Sequence, residues 1–200
     1  MKNEEIRTII QSGGAVILPT ETVYGIFGQA LNKESVENIY RLKKRPKDKA
    51  MNLNVSNLND ILFYSQNVPV FLKKVYNEFM PGPLTIILQA SKNVPEWINS
   101  GLPSIGFRVP NHPETLQVIS ENGPLIGPSA NVSGQESGKI FKEIIEAFDH
   151  QVTGIEDDQS ITGLDSTILD LSGPKARILR QGAITKEEIL SKVPEISFED

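Results

Sequence analysis

The chain has 200 residues, 38% of them hydrophobic, with 13 prolines, no cysteine and a formal net charge of -5. That size and content describe one globular domain over residues 1–200, able to bury roughly 70% of its unfolded surface without a staple. The lack of cysteine excludes disulfides, Cys-ligated zinc, iron–sulfur clusters and thiol nucleophiles, so the chemistry rests on oxygen and nitrogen groups.

In chain order, residues 2–12 carry Ile6, Ile9 and Ile10 at helical spacing and stop at Gly13 and Gly14. The segment is acidic and amphipathic, and no run approaches the length needed to cross a bilayer, so a cytoplasmic protein is expected. The apolar run 15–18 reads as a buried strand cut off by Pro19, and a hydroxyl-rich turn follows with Thr20 and Thr22. Asn32 or Ser35 caps a helix whose inward stripe is Val36, Ile39 and Leu42 and which Pro46 ends. Met51, Leu53 and Val55 alternate like a half-buried strand. A helical region from Asn57 is divided by Pro69 and ended by residues 81–83. Strands are predicted at 84–88 and 104–109, a helix at 114–120, a short apolar segment at 124–127, and a helix at 139–149. Strands at 167–171 and 176–179 flank the hairpin turn 172–175, and a final helix starts at a capping box on Thr185. Hairpin and helical connections together predict a mixed α/β sheet.

Charge is unevenly spread. Residues 41–49 hold six basic side chains and one acid, which leaves 14 basic against 24 acidic residues elsewhere. Such a patch on an acidic chain suits a polyanion, although a solvated helix end explains it equally well. Thr20 and Thr22 follow a buried strand, where ligand sites of α/β sheets gather, and Gly25 would let a ligand approach the backbone. Ser129, Asn131 and Ser133 alternate after an apolar segment and can point the same way; the bland alternative is a helix cap or Asx turn. Arg108 and Arg180 each end a hydrophobic strand, a placement suited to bidentate recognition of phosphate or carboxylate or to a structural salt bridge. Residues 134–140 imitate a phosphate loop but have three residues between the glycines instead of four, and Ile140 replaces the metal-binding hydroxyl. His112 and His150 read as isolated surface residues, and Asp157 with Asp158 as a solvated loop.

Taken together, PTETVYGI at 19–26, LKKRPKDKAMNLNV at 42–55, PGPLTIIL at 81–88, IGFRVP at 105–110, GPSANVSG at 127–134, DSTILDL at 165–171 and ILRQGAIT at 178–185 resemble the Sua5/YciO/YrdC family in its short form, without an extra C-terminal domain. The resemblance implies a twisted mixed sheet flanked by helices around a positively charged cavity. It also implies a nucleotidyltransferase, a threonylcarbamoyl-AMP synthase that joins L-threonine, bicarbonate and ATP with release of pyrophosphate, in the first step of N6-threonylcarbamoyladenosine formation in tRNA. Magnesium would arrive on the ATP phosphates, and downstream tRNA threonylcarbamoyl-transferase proteins would take the product. Carried over by position, Thr20, Thr22 and Arg108 fall on the threonine and bicarbonate side. Lys43 and Arg45 fall on the phosphate-binding KxRP pair and are the expected catalytic residues. Ser129, Asn131, Ser133, Ser166 and Arg180 fall on the ATP side. The sequence departs from the family pattern at Phe27, Ala50, Asn54 and Gln181. Two alternatives are a non-catalytic double-stranded RNA-binding module using the basic patch, and a relative acting on a different nucleotide or acid.

Overall fold

The computed structural model describes residues 2–199. Ten strands form one mixed sheet: β1 (Val16–Leu18), β2 (Gly25–Gln29), β3 (Leu53–Asn54), β4 (Ser65–Gln66), β5 (Leu84–Ala90), β6 (Ser104–Arg108), β7 (Leu125–Ile126), β8 (Thr153–Gly154), β9 (Thr167–Asp170) and β10 (Arg177–Arg180). Their order is β10-β9-β5-β6-β3-β7-β2-β1-β8, with β4 paired to β5. Pairs β1/β8, β3/β6 and β5/β9 are parallel and the rest antiparallel, as the mixture of hairpins and helical connections predicts.

The helices are α1 (Lys2–Gln11), α2 (Lys33–Leu42), α3 (Leu58–Tyr64), α4 (Leu72–Phe79), α5 (Glu96–Asn99), α6 (Pro113–Asn122), α7 (Phe141–Ala147) and α8 (Lys186–Lys192). Side chains alternate across β1. Val16 and Leu18 pack with Ile6 and Ile10 of α1 and Val118 and Ile119 of α6, while Ile17 joins the larger cluster holding Val36 and Ile39 of α2. Each such fully buried aliphatic side chain contributes about 1.5–3 kcal/mol, and so fixes which face of the helix meets the sheet.

Helix ends follow their local chemistry. Asn32 Oδ1 accepts from the Glu34 and Ser35 amides, and Thr185 and Glu188 form the predicted capping box. Gly13, at φ 83°, lets the Gly13 and Gly14 amides turn back on Ile10 and Ile9. The end of α2 matters most. It stops at Leu42 rather than running to Pro46, because Lys44 takes φ 49° and the Lys44 and Arg45 amides close on Arg41 and Tyr40. Helical backbone at Arg45 is disfavoured by Pro46, so the chain turns there. That turn sends Lys43 inward and leaves Lys44 and Lys47 exposed.

Strand β2 was not expected. Its sequence GIFGQ carries two glycines, and its strand character comes from pairing with β1 on one side and β7 on the other. The helical region from Asn57 is indeed divided, with β4 inserted before Pro69.

Candidate functional site

The loops at one end of this sheet enclose a cavity of about 200 Å³. Thr20 and Tyr24 reach it from the turn between β1 and β2, Arg45 from the segment after α2, and Arg108 from the end of β6. Ser129 enters from the loop after β7, Ser166 from just before β9, and Arg180 from the end of β10. Its lining includes three arginines and one carboxylate, Asp165, but neither lysine nor histidine. Such a site can orient anions and stabilise negative charge; nothing in it is built as a nitrogen or sulfur nucleophile.

At one end, Thr20 Oγ1 donates to the Val23 carbonyl at 2.6 Å and accepts from the Thr22 amide at 3.2 Å, so the hydroxyl locks the turn. Arg108 Nη2 donates to Thr22 Oγ1 and to Glu21 Oε1, both at 2.8 Å, and lies 3.5 Å from Thr20 Oγ1. Arg108 Nε is buried with no partner. A buried guanidinium N–H left without a partner is uncommon. At the other end, Arg180 donates through Nε to the Ser166 carbonyl and through Nη2 to Ser166 Oγ, both at 3.0 Å, and Ser166 Oγ lies 3.1 Å from Thr85 Oγ1. Arg45 is braced by the Lys49 and Ala50 carbonyls at 3.2 and 2.9 Å. Backbone bonds therefore aim both arginines, so little side-chain entropy is left to lose on binding.

Not every expected residue reaches the cavity. Lys43 is 1% exposed, and its Nζ donates to the carbonyls of Ser129 and Asn131 and weakly to Asn131 Oδ1, while its own carbonyl accepts from the Ser133 amide at 2.8 Å. It pins the 129–133 loop to the end of α2 from behind. Burial pulls its pKa down to about 7, with the neighbouring Arg45 charge acting in the same direction. Asn131 turns into its own loop, accepting from Ser129 Oγ at 2.6 Å and donating to the Val132 and Gln135 carbonyls at 3.0 and 2.9 Å. Ser133 Oγ is shielded without a partner, and Thr22 meets the site through Arg108.

A depressed lysine pKa has a defined sign in stability. Between pH 7 and the unfolded value of 10.5 the unfolded chain binds more protons at Lys43 than the folded one, so this residue's contribution rises with pH, by at most about 1.4 kcal/mol per unit. Urea unfolding of the wild type and of Lys43→Met at pH 7, 8 and 9 should show the wild type gaining on the variant at each step. A constant difference across that range would contradict a strained buried ammonium.

Two sequence expectations are corrected. His112 is 4% exposed rather than a surface residue; it precedes α6, and its Nε2 lies 3.1 Å from Asp157 Oδ2. This bond holds the Asp157 carboxyl below the ordinary carboxylate range. Asp158 is engaged too, because its Oδ1 accepts from Tyr24 Oη at 2.7 Å and from the Phe141 amide at 2.9 Å. Burial first, and then the bond to Asp158, pushes the Tyr24 phenol pKa up, so it stays protonated and fastens the 157–160 segment behind the cavity wall. Gly25 lines the cavity and also has a packing role. A Cβ there, or on Gly127, would fall 2.5 or 2.3 Å from the Phe27 ring, so the two glycines make the slot that this ring occupies at the cavity floor. No signal in the sequence announces these long-range pairings or the engagement of Glu21, since a charged turn residue is ordinarily solvated.

Fold and site together define a twisted mixed α/β sheet protein with an arginine-lined cavity fit for anionic ligands. A family model named Sua5_yciO_yrdC and described as "Telomere recombination" matches residues 8–182. A threonylcarbamoyl-AMP synthase of Pyrococcus abyssi is 33% identical over 189 residues, covering 94% of this chain and 56% of that protein. One of Bacillus subtilis is 33% identical over 184 residues, covering 90% and 53%. The crystal structure of P. abyssi Sua5 complexed with L-threonine superposes with a TM-score of 0.92 at 31% identity, over 98% of this chain and 58% of that one. The chain belongs to the Sua5/YciO/YrdC family, and it spans about half the length of these relatives.

Proposed function

We propose that this protein is an L-threonylcarbamoyladenylate synthase, an enzyme that makes threonylcarbamoyl-AMP and pyrophosphate from L-threonine, bicarbonate and ATP. The observation that carries this reading is the cavity itself, in which three fixed arginines from distant parts of the chain converge with serine and threonine hydroxyls. Each substrate is anionic or zwitterionic, and the names of the P. abyssi and B. subtilis relatives match this chemistry.

In the reaction the threonine nitrogen attacks the carbon of bicarbonate, with loss of water, to give the carbamate. A carbamate oxygen then attacks the α-phosphorus of ATP, the bond to the β-phosphate oxygen breaks, and its electron pair leaves with pyrophosphate. The amino acid and bicarbonate occupy the end holding Thr20 and Arg108. The triphosphate lies toward Arg45 and Arg180, with Ser129 and Ser166 as neutral donors. Charge develops mainly on the phosphoryl and leaving oxygens, so positioned cations supply most of the catalysis. Lys43 acts one layer back, by shaping the Ser129–Asn131 backbone. Asp165, the one carboxylate in the lining, would be the side chain able to meet a magnesium ion carried in on the triphosphate, where the ion would neutralise phosphate charge. Among the described residues no group of three or more His, Asp or Glu side chains is arranged for a protein-held metal. The product is a mixed carbamic–phosphoric anhydride, reactive enough to require prompt transfer to the tRNA-modifying proteins that follow. No described helix is long and apolar enough to cross a membrane.

The reading is tested by product identity. Incubation with ATP and bicarbonate should yield an adenylate of the threonylcarbamoyl mass with L-threonine and much less adenylate with L-serine. Equal yields with both would point to a relative with another acid as substrate.

A further inference from the structure

Glu21 lies beside Arg108 at one end of the site. Its Oε1 accepts from Arg108 Nη2 at 2.8 Å and its Oε2 from the Asn111 amide at 2.9 Å, while its backbone carbonyl accepts from Thr162 Oγ1 at 2.9 Å. Both partners of the ion pair are mostly shielded, with side chains 13% and 17% exposed for Arg108 and Glu21. Charge pairing at that depth is worth more than on the surface. Arg45 and Arg180 have no comparable carboxylate: Arg45 is braced by carbonyls, and the nearest acid to Arg180, Asp165, is 3.9 Å away with both side chains about two-fifths exposed. The cavity is therefore divided electrically. One end presents an arginine already neutralised by Glu21, and the other presents two whose charge is largely uncancelled.

We propose that Glu21 is a positioning and charge-matching residue: it holds Arg108 by Nη2, keeps the remaining N–H donors directed to the ligand, and cancels enough charge that this end accepts a zwitterion and rejects phosphate. This rests on the synthase reading for the identity of the zwitterion, L-threonine, but not for the charge division itself. A triphosphate meeting three equal arginines in a small cavity could bind in more than one register. With one arginine neutralised, the phosphates are drawn to Arg45 and Arg180, and the α-phosphorus is left facing the carbamate. Asn111 and Thr22 complete the hold, since an arginine bound at Nη2 by two acceptors cannot swing toward the phosphate end without abandoning both.

The probe is inorganic phosphate, titrated calorimetrically into the wild type, Glu21→Gln, Glu21→Asp and the double variant Glu21→Gln/Arg108→Ala. Glu21→Gln keeps the size and one acceptor oxygen but removes the charge, and should bind phosphate about tenfold more tightly than the wild type, as expected for losing one charge-assisted partner. The gain should vanish in the double variant, and Glu21→Asp, which restores the charge, should stay near the wild type. Equal phosphate affinity in the wild type and Glu21→Gln overturns the inference, as does a gain that survives loss of Arg108. Turnover supplies a separate readout: in Glu21→Gln the KM for L-threonine should rise about tenfold while that for ATP moves less than threefold, a split that a general loss of stability does not produce. A wild type whose pyrophosphate release ignores threonine would defeat the synthase reading and leave the phosphate result standing by itself.

Discussion

Replacing Arg45 by alanine is expected to lower threonine-dependent pyrophosphate release by about two to three orders of magnitude, the usual cost of removing a fixed group that meets developing charge. Arg45 lies three residues past the end of α2, in a chain that has already turned at Lys44, and its guanidinium is held by the Lys49 and Ala50 carbonyls where it lines the cavity. Those two bonds are local, so their loss costs about 1–2 kcal/mol of stability and a fall of a few degrees in melting temperature. The variant should therefore remain folded at assay temperature. A steady-state assay with saturating ATP, read beside a thermal melt, separates the two effects. Undiminished turnover would take Arg45 out of the site, and lost folding would make it a structural residue. Lysine at this position should recover only part of the rate, because a single ammonium cannot reproduce the two-point hold of a guanidinium.

Gly182→Ala is expected to give a large loss of stability from a small change, about 2–3 kcal/mol, or roughly 5–10 °C in melting temperature. A Cβ on Gly182 would sit 2.3 Å from the Asp165 carbonyl oxygen and 2.5 Å from both the Ser166 carbonyl carbon and the Thr167 amide nitrogen. All three atoms are backbone, so no side chain can swing aside. The Gly182 amide itself donates to Thr167 Oγ1 at 3.0 Å, and the Ala183 amide to the Asp165 carbonyl at 3.0 Å, so the chain after β10 is stitched to the segment before β9. Forcing them apart also displaces Ser166 from Arg180. Activity should fall further than the unfolded fraction accounts for, in contrast to Gly101→Ala, which has open space around it and whose cost comes only from its φ of 69°, away from the cavity lining. A melting temperature within 2 °C of the wild type would mean that this contact yields more easily than a packed backbone should.

Much of this architecture is visible in local chemistry. The apolar runs that become β1 and β5, the Asn32 cap, the glycine stop after α1 and the box at Thr185 each depend on neighbours in sequence, and each forms where expected. Elements defined by partners are not visible in this way. β2 is strand because β1 and β7 flank it, and β8 is two residues whose pairing to β1 is their whole identity. The site divides along the same line. Thr20, Arg45, Arg108, Ser129, Ser166 and Arg180 stand at ends of elements that open to one side of the sheet, and they converge. Lys43 and Arg45 are two residues apart in a basic run, and only the left-handed turn at Lys44 decides that the first is buried against the 129–133 loop and the second faces the cavity. His112 next to a proline looks like a surface residue until Asp157, 45 residues later, closes on it.

The central claim is that the divided, arginine-lined cavity joins an amino-acid carbamate to adenylate. Pyrophosphate release measured with L-threonine, bicarbonate and magnesium ATP, and again with each omitted in turn, tests it most directly. The account predicts release only when all three substrates are present, with Arg45→Ala near background under the same conditions. Release that proceeds at an equal rate without threonine would contradict it.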